Sequence, residues 1–179
     1  MPDTVVTEDV DAAQDAINKF GAAVFKPLYS TNARGMCVIE AGQDPSAMRA
    51  EIEAFRAENP MMYIQRKLDL PGRDYGMVFL GGAYLGTYAR VAQSDTWNTT
   101  IHSGGKYALH EPPQSTIDLA AKAEALFGMD FTTVDVADTD DGPIVFEVSA
   151  FGGFKGAKEG IGIDAADLYA DYMIEKVTT

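Results

Sequence analysis

Residues 131–151, FTTVDVADTDDGPIVFEVSAF, hold two β-rich runs around Asp138, Thr139, Asp140, Asp141 and Gly142, a cluster of turn formers that predicts a β-hairpin. With the turn centred on Asp141, residues equidistant from it face each other, and Asp135 then lies opposite Glu147. Directly opposed residues have β-carbons about 4.5 to 5.5 Å apart and side chains on one face of the sheet. Alternation adds Thr133 and Ser149 to that face and sends Val134, Val136, Phe146 and Val148 to the other, expected in the core. Two like charges so placed repel unless one is protonated or a cation lies between them. Magnesium meets that need, because it takes one or two carboxylates and completes its shell with water and phosphate oxygens. The alternative is a solvent-facing hairpin carrying two unrelated acids, since hairpin register can slip.

Such a hairpin needs a core, and 179 residues with 46% hydrophobic and 23% charged content suffice for one compact domain or two small lobes. Fourteen basic against 27 acidic residues give a net charge of -13, which repels nucleic acid and anionic membrane where no basic cluster intervenes. An acidic surface still permits a locally positive nucleotide site. The single Cys37 rules out an internal disulfide. No apolar run approaches the roughly 18 residues of a membrane span, and the start, MPDTVVTEDVDAAQ, lacks the basic and apolar regions of a signal peptide. We therefore expect a soluble cytoplasmic protein with no nucleic-acid or membrane partner.

Thr7, followed by Glu8 and Asp9, is a candidate N-cap, and Val10, Ala13, Ile17 and Phe20 recur at helical spacing up to Gly21. The apolar run AAVFKPL (22–28) predicts a strand that leads into the polar loop YSTNARG. Asp44 and Pro45 supply a cap and first-turn proline for a helix with Met48, Ile52 and Phe55 on one face. From about residue 61 the texture turns strand-like: MMYIQRKL, then DYGMVFL and AYLGTYARVA joined by Gly81-Gly82 as a hairpin. A polar stretch with Trp97 and His102 precedes a helix over 115–127 ending at Gly128, the 131–149 hairpin, and a closing helix capped by Asp164. The order predicts an α+β fold with a mostly antiparallel sheet in its second part, divided into 1–63 and 64–179.

Lys26 is the sole charge in AAVFKPL, so its ammonium either snorkels from a half-buried strand or meets an anion such as phosphate. The loop after it has one glycine and does not match a P-loop. Arg90, between Ala89 and Val91, either makes a surface salt bridge or stabilises phosphoryl charge with its fork of donors. His102 either contacts substrate or satisfies a local hydrogen bond. His110 and Cys37 have no partners at metal-ligand spacing and receive no chemistry.

The succession PDTVVTED, FKPL with its loop, YIQRKL, GRDYGMVFLGGAYLGTYARV, IHSGG, VDV, FEVSAFGGFKG and a final GID helix runs from Pro2 to about Val177. In that order it resembles the ATP-grasp superfamily, and within it the RimK-like glutamate ligases. The tail FEVSAFGGFKGA is also similar to ATP-grasp members of a gene-cassette group, the GAK system. The resemblance implies an ATP-grasp fold of two α+β lobes, with a partial first lobe carrying the phosphate loop and a second carrying hinge and metal site. It implies that Lys26 contacts ATP phosphates and that the backbone of Gln65, Arg66, Lys67 and Leu68 grips adenine. Asp74 would lie near the ribose, Arg90 beside the transferring phosphoryl group, and Asn98 to Thr100 along the nucleotide or acceptor side. Asp135 and Glu147, with Ser149, would hold magnesium. The implied chemistry is ATP-dependent phosphorylation of a carboxylate, on a small molecule or peptide, to an acyl phosphate that an amino acid's amine converts to an amide.

Departures from the family pattern point to alternatives. Ser149 stands where relatives have asparagine, Gly76 where an arginine is expected, and Thr100-Ile101-His102-Ser103-Gly104-Gly105 replaces an Asn-Leu-His-Arg-Gly-Gly loop. The phosphate loop is largely Ser, Thr, Asn and Ala, with Arg34 in place to supply charge. RimK-like enzymes also carry an amino-terminal domain, so the expectation is a fragment, a homo-oligomer, or a protein completed by a partner chain. The competing functions are a nucleotide-binding module without ligase turnover and an interaction domain that binds no nucleotide.

Overall fold

The computed structural model describes residues 1–30, 33–92, 105–150 and 152–178. Val10, Ala13 and Ile17, spaced by three and four residues, become the buried stripe of α1 (Val10–Phe20). Its cap is Asp9 rather than Thr7. The Asp9 carboxylate accepts the Ala12 N–H at 2.8 Å, while the Thr7 hydroxyl accepts the Asp9 N–H at 3.0 Å. Thr7 instead ends β1 (Thr4–Thr7), which precedes α1, β2 (Ala22–Lys26), β3 (Cys37–Glu40), α2 (Pro45–Glu58) and β4 (Met62–Arg66). The strands form one antiparallel sheet in the order β1-β4-β2-β3. The edge strands β1 and β3 were not expected, because four residues each are too few to display a period.

Both helices contribute to one core with Phe25, Ile39, Met62 and Ile64 of the strands, and Phe25 meets Phe55 edge-on at 5.3 Å. Strand alternation sends Val24 and Lys26 of β2, and Tyr63 and Gln65 of β4, to the opposite face. This first unit spans Met1–Asp69. The sequence reading opened the second part at 64, whereas β4 lies between β1 and β2 and so stays with them.

The second unit, Leu70–Thr179, is built on a five-stranded antiparallel sheet in the order β7-β6-β5-β8-β9. Its elements are β5 (Arg73–Leu80), β6 (Ala83–Val91), β7 (Lys106–Leu109), α3 (Gln114–Glu124), β8 (Phe131–Thr139), β9 (Gly142–Val148), α4 (Phe154–Ile161) and α5 (Ala165–Thr178). Gly81 and Gly82 take φ of 56° and 79°, the paired positive values that a two-residue hairpin turn demands. α3 stops at Glu124, short of the expected end. Its tail tightens into i→i+3 bonds, Leu126 N–H to Ala123 and Phe127 N–H to Glu124. α4 was not foreseen, since FKGAKEGI carries two glycines, the weakest helix formers after proline.

One face of this sheet is apolar: Tyr75, Met77, Phe79, Ala89, Val134 and Val136 form a core with Ala120 of α3. The residues between them, including Asp74, Gly76, Tyr88, Arg90 and Asp135, point the other way, where Val78 and Tyr88 pack with α4 and α5. No helix among the described residues is long and apolar enough to cross a membrane.

Candidate functional site

The β8–β9 hairpin brings Asp135 opposite Glu147, through a different turn from the one expected. Thr139 pairs with Gly142 and Val136 with Val145, so the turn is centred between Asp140 and Asp141. Phe146 is then skipped as a β-bulge, after which Asp135 pairs with Glu147 and Val134 with Val148. The bulge also changes the inner face: Val145 and Val148 pack against the core, and the expected Phe146 does not. The polar face is as expected, with Ser149 donating its hydroxyl to Glu147 Oε1 at 3.0 Å.

A second bulge does the same on β6. Phe79 pairs with Tyr84, Leu85 is skipped, and Val78 pairs with Gly86, which places Asp74 opposite Arg90. The Arg90 Nε donates to Asp74 Oδ1 and Oδ2 at 3.2 and 3.0 Å, and its Nη2 contacts both Asp74 Oδ2 and, at 2.8 Å, Asp135 Oδ2. The side chains of Arg90, Asp74 and Asp135 are 18%, 4% and 12% exposed. Arg90 is therefore not the surface ion pair that was one option, but a buried guanidinium between two carboxylates.

Burial works against the Arg90 charge, yet the carboxylates of Asp135 and Asp74 outweigh it and raise its pKa. Burial pushes the Asp135 carboxyl up to about 7; Arg90 opposes this, while Asp74 and Glu147 add to it. Among the described residues, the cluster thus sets three carboxylates beside one guanidinium. Among the described residues, no three His, Cys, Asp or Glu side chains converge to hold a metal. The donor set nevertheless fits magnesium, which needs only one or two carboxylates when water and phosphate oxygens complete its shell. A divalent cation beside Asp135 and Glu147 would add positive charge to that of Arg90.

In the first unit, the Lys26 ammonium donates to Gln65 Oε1 at 2.6 Å, on the face away from the helices. Gln65 is buried, and its Nε2 donates to Thr4 Oγ1 at 3.2 Å. The backbone N–H groups of Arg66 and Lys67 donate to the carbonyls of Asp3 and Ala22, each at 2.9 Å. In the loop, the Ser30 hydroxyl donates to the Arg34 carbonyl at 2.5 Å. Asn98, Thr100 and His102 lie outside the described residues.

Tyr88 and Tyr107 were missed by sequence reasoning. The Arg90 guanidinium carbon sits 5.9 Å from the Tyr88 ring centroid, and Tyr107, the β7 partner of Arg90, meets Tyr88 edge-on at 5.2 Å. The available signal was alternation along β6, which puts Tyr88 on the same face as Arg90.

The RimK-like ATP-grasp domain family matches residues 1–173. The tetrahydromethanopterin:alpha-L-glutamate ligase of Methanosarcina acetivorans is 25% identical over 97% of this chain and 61% of its own length. The ribosomal protein bS6–L-glutamate ligase of Salmonella paratyphi B is 28% identical over 93% of the chain and 55% of its length. The chain therefore spans just over half the length of these relatives. Among solved structures, the ATP-grasp ligase PsnB in complex with a phosphomimetic precursor variant, Mg and ADP superposes with a TM-score of 0.75 at 19% identity, over 97% of this chain and 53% of that one. A RimK domain protein from Sphaerobacter thermophilus superposes with a TM-score of 0.69 at 23% identity, over 97% and 60%.

Proposed function

The chain belongs to the RimK-like ATP-grasp family, and from that premise we propose that it binds ATP with magnesium and serves an ATP-dependent carboxylate–amine ligase. The observation that carries this reading is the direct opposition of a buried Asp135 and a solvent-exposed Glu147 on one face of the sheet, beside Arg90. In the first step a carboxylate oxygen attacks the γ-phosphorus, ADP leaves, and an acyl phosphate forms. An amine then displaces phosphate and closes the amide. Catalysis of phosphoryl transfer is largely positioning and charge stabilisation, and the residues present suit that task.

Asp135 and Glu147 would hold magnesium, whose contribution is to neutralise phosphate charge, with Ser149 orienting Glu147 through its hydroxyl. Arg90 would stand beside the transferring phosphoryl group, and Asp74 aims its guanidinium; a ribose contact by Asp74 is not needed for this. Lys26 would contact phosphate, its ammonium steadied by Gln65. With the N–H groups of Arg66 and Lys67 committed to protein carbonyls, adenine contact falls to the Lys67 carbonyl and the backbone of Leu68. Asn98 is assigned to the nucleotide or acceptor side by family resemblance alone. The substrates would be a small-molecule or peptide carboxylate and an amino acid.

Calorimetry with ATP and magnesium tests the reading: the wild type binds in a magnesium-dependent way, and Asp135→Asn and Glu147→Gln each weaken binding by about tenfold or more. A wild-type chain that binds no nucleotide sinks it. A nucleotide-binding module without turnover is favoured by one observation, that Arg90 is engaged by two carboxylates. ADP release that depends on a carboxylate and an amino acid decides between the two.

A further inference from the structure

Tyr107 of β7 lies directly opposite Arg90 of β6, which lies directly opposite Asp74 of β5. The three form one cross-strand row on the sheet face that carries Asp135 and Glu147. Opposed residues have β-carbons about 4.5 to 5.5 Å apart, so the phenol and the guanidinium leave the sheet as neighbours. Tyr88, beside them, is packed away: it is buried over Gly76, where a β-carbon would stand 2.3 Å from Tyr88 Cζ. Tyr107 meets the Tyr88 ring edge-on, with centroids 5.2 Å apart and planes at 87°. A β-carbon at Gly160 of α4 would stand 3.6 Å from Tyr107 Cβ, an ordinary van der Waals contact. The ring is thus held by a second ring and by a helix, yet the residue keeps part of its surface in solvent.

The Tyr107 hydroxyl lies within reach of the cluster's charges. Burial raises its pKa, Arg90 opposes this, and Glu159 and Asp135 add to it. A phenol ordinarily titrates at about 10, so this one keeps its proton at neutral pH and is available as a donor. Arg90 has Nε and Nη2 engaged by Asp74 and Asp135, and so offers a ligand fewer donors than a free guanidinium. We propose that Tyr107 makes a second contact to the transferring phosphoryl group, its hydroxyl donating a hydrogen bond to a terminal phosphoryl oxygen of ATP beside Arg90. This inference rests on the reading that ATP binds with that group at Arg90. A neutral donor suits the position. A further ammonium there would pair with Asp135 or Glu147 and compete with magnesium, whereas a phenol serves the anion without adding a rival charge.

The test is calorimetry on the full chain with magnesium and either ATP or ADP, with thermal melting of each protein alongside. Tyr107→Phe keeps the ring and its packing on Tyr88 and removes only the hydroxyl, so its melting temperature matches the wild type. Its ATP affinity falls about tenfold or more, the scale of a lost hydrogen bond to a charged group. Its ADP affinity is unchanged, because ADP lacks the phosphoryl group that the hydroxyl contacts. Wild-type ATP affinity in Tyr107→Phe would show that the tyrosine serves packing alone, and that result overturns the proposal. So does an equal loss for ATP and ADP, which would place the effect away from the terminal phosphoryl group. Failure of the wild type to bind ATP is a different outcome, which removes the functional reading and this inference with it.

Discussion

Arg90 stands between two largely buried carboxylates, so its removal creates a local electrostatic imbalance. It is bound through Nε and Nη2 to Asp74 and through Nη2 to Asp135, with all three side chains largely buried. Truncating one partner of a buried ion pair costs more than the pair contributes, because the remaining charge is left desolvated and alone. We expect Arg90→Met to lose about 3–5 kcal/mol of stability in urea unfolding without magnesium. Arg90→Lys, which keeps the charge and loses the fork, should fall between the two. Loss of less than about 1 kcal/mol in Arg90→Met, the scale of a surface pair, would contradict the burial described. At this scale the sequence showed that an arginine stood at the end of a strand. Its partners were hidden, because the turn at Gly81-Gly82 with uninterrupted pairing sets Asp74 opposite Ala89 instead.

Two elements owe their arrangement to bulges. At Leu85 and at Phe146 one residue is skipped, and beyond each skip the polar residues become direct cross-strand partners. The bulge at Phe146 also keeps Val145 and Val148 on the inner face although an even number of residues separates them. Deleting Phe146 should therefore yield a regular hairpin in which Val136 still faces Val145 and Asp135 still faces Glu147. Magnesium-dependent ATP binding that survives this deletion supports the register, whereas loss of both binding and fold counts against it. Helix α2 offers a pH test. The Asp44 carboxylate accepts from the Ser46 hydroxyl and from the Ala47 and Ser46 N–H groups, and these bonds, in that order, lower its pKa. A carboxylate depressed in the folded state stabilises fully above its unfolded pKa, about 3.9, and the benefit is lost as pH falls through the lower folded value. The gap in melting temperature between wild type and Asp44→Ala should be constant from pH 7 to about 5 and close below about 4. A gap unchanged at pH 3 would show that the carboxylate charge is not what caps the helix. This cap, with Pro45 behind it, was legible in the sequence, since N-capping is decided within one turn.

Across the molecule, each unit has its own apolar core, one around Phe25, Ile52 and Ile64 and another around Tyr75, Met77 and Val136. Ile52→Ala should cost about 2–5 kcal/mol, and hydrogen exchange should report faster opening within residues 1–69 than within 70–179. Uniform acceleration over both units would show that they unfold as one. The α+β class, α1 and α2, and both hairpins of the second sheet could be read from the residues, because they rest on local signals: helical period, turn chemistry and strand alternation; the family resemblance came instead from the order of sequence motifs along the chain. The short edge strands and the glycine-bearing α4 could not, since neighbours rather than their own sequences hold them in place. The same division runs through the site. The chain alone determined that two acids would leave one face of a hairpin near its root. Only the folded sheet decided that Asp74 and Arg90 would join Asp135 there, with Tyr88 lying over Gly76, because charge pairing and ring packing depend on which strands become neighbours and where each ladder skips a residue.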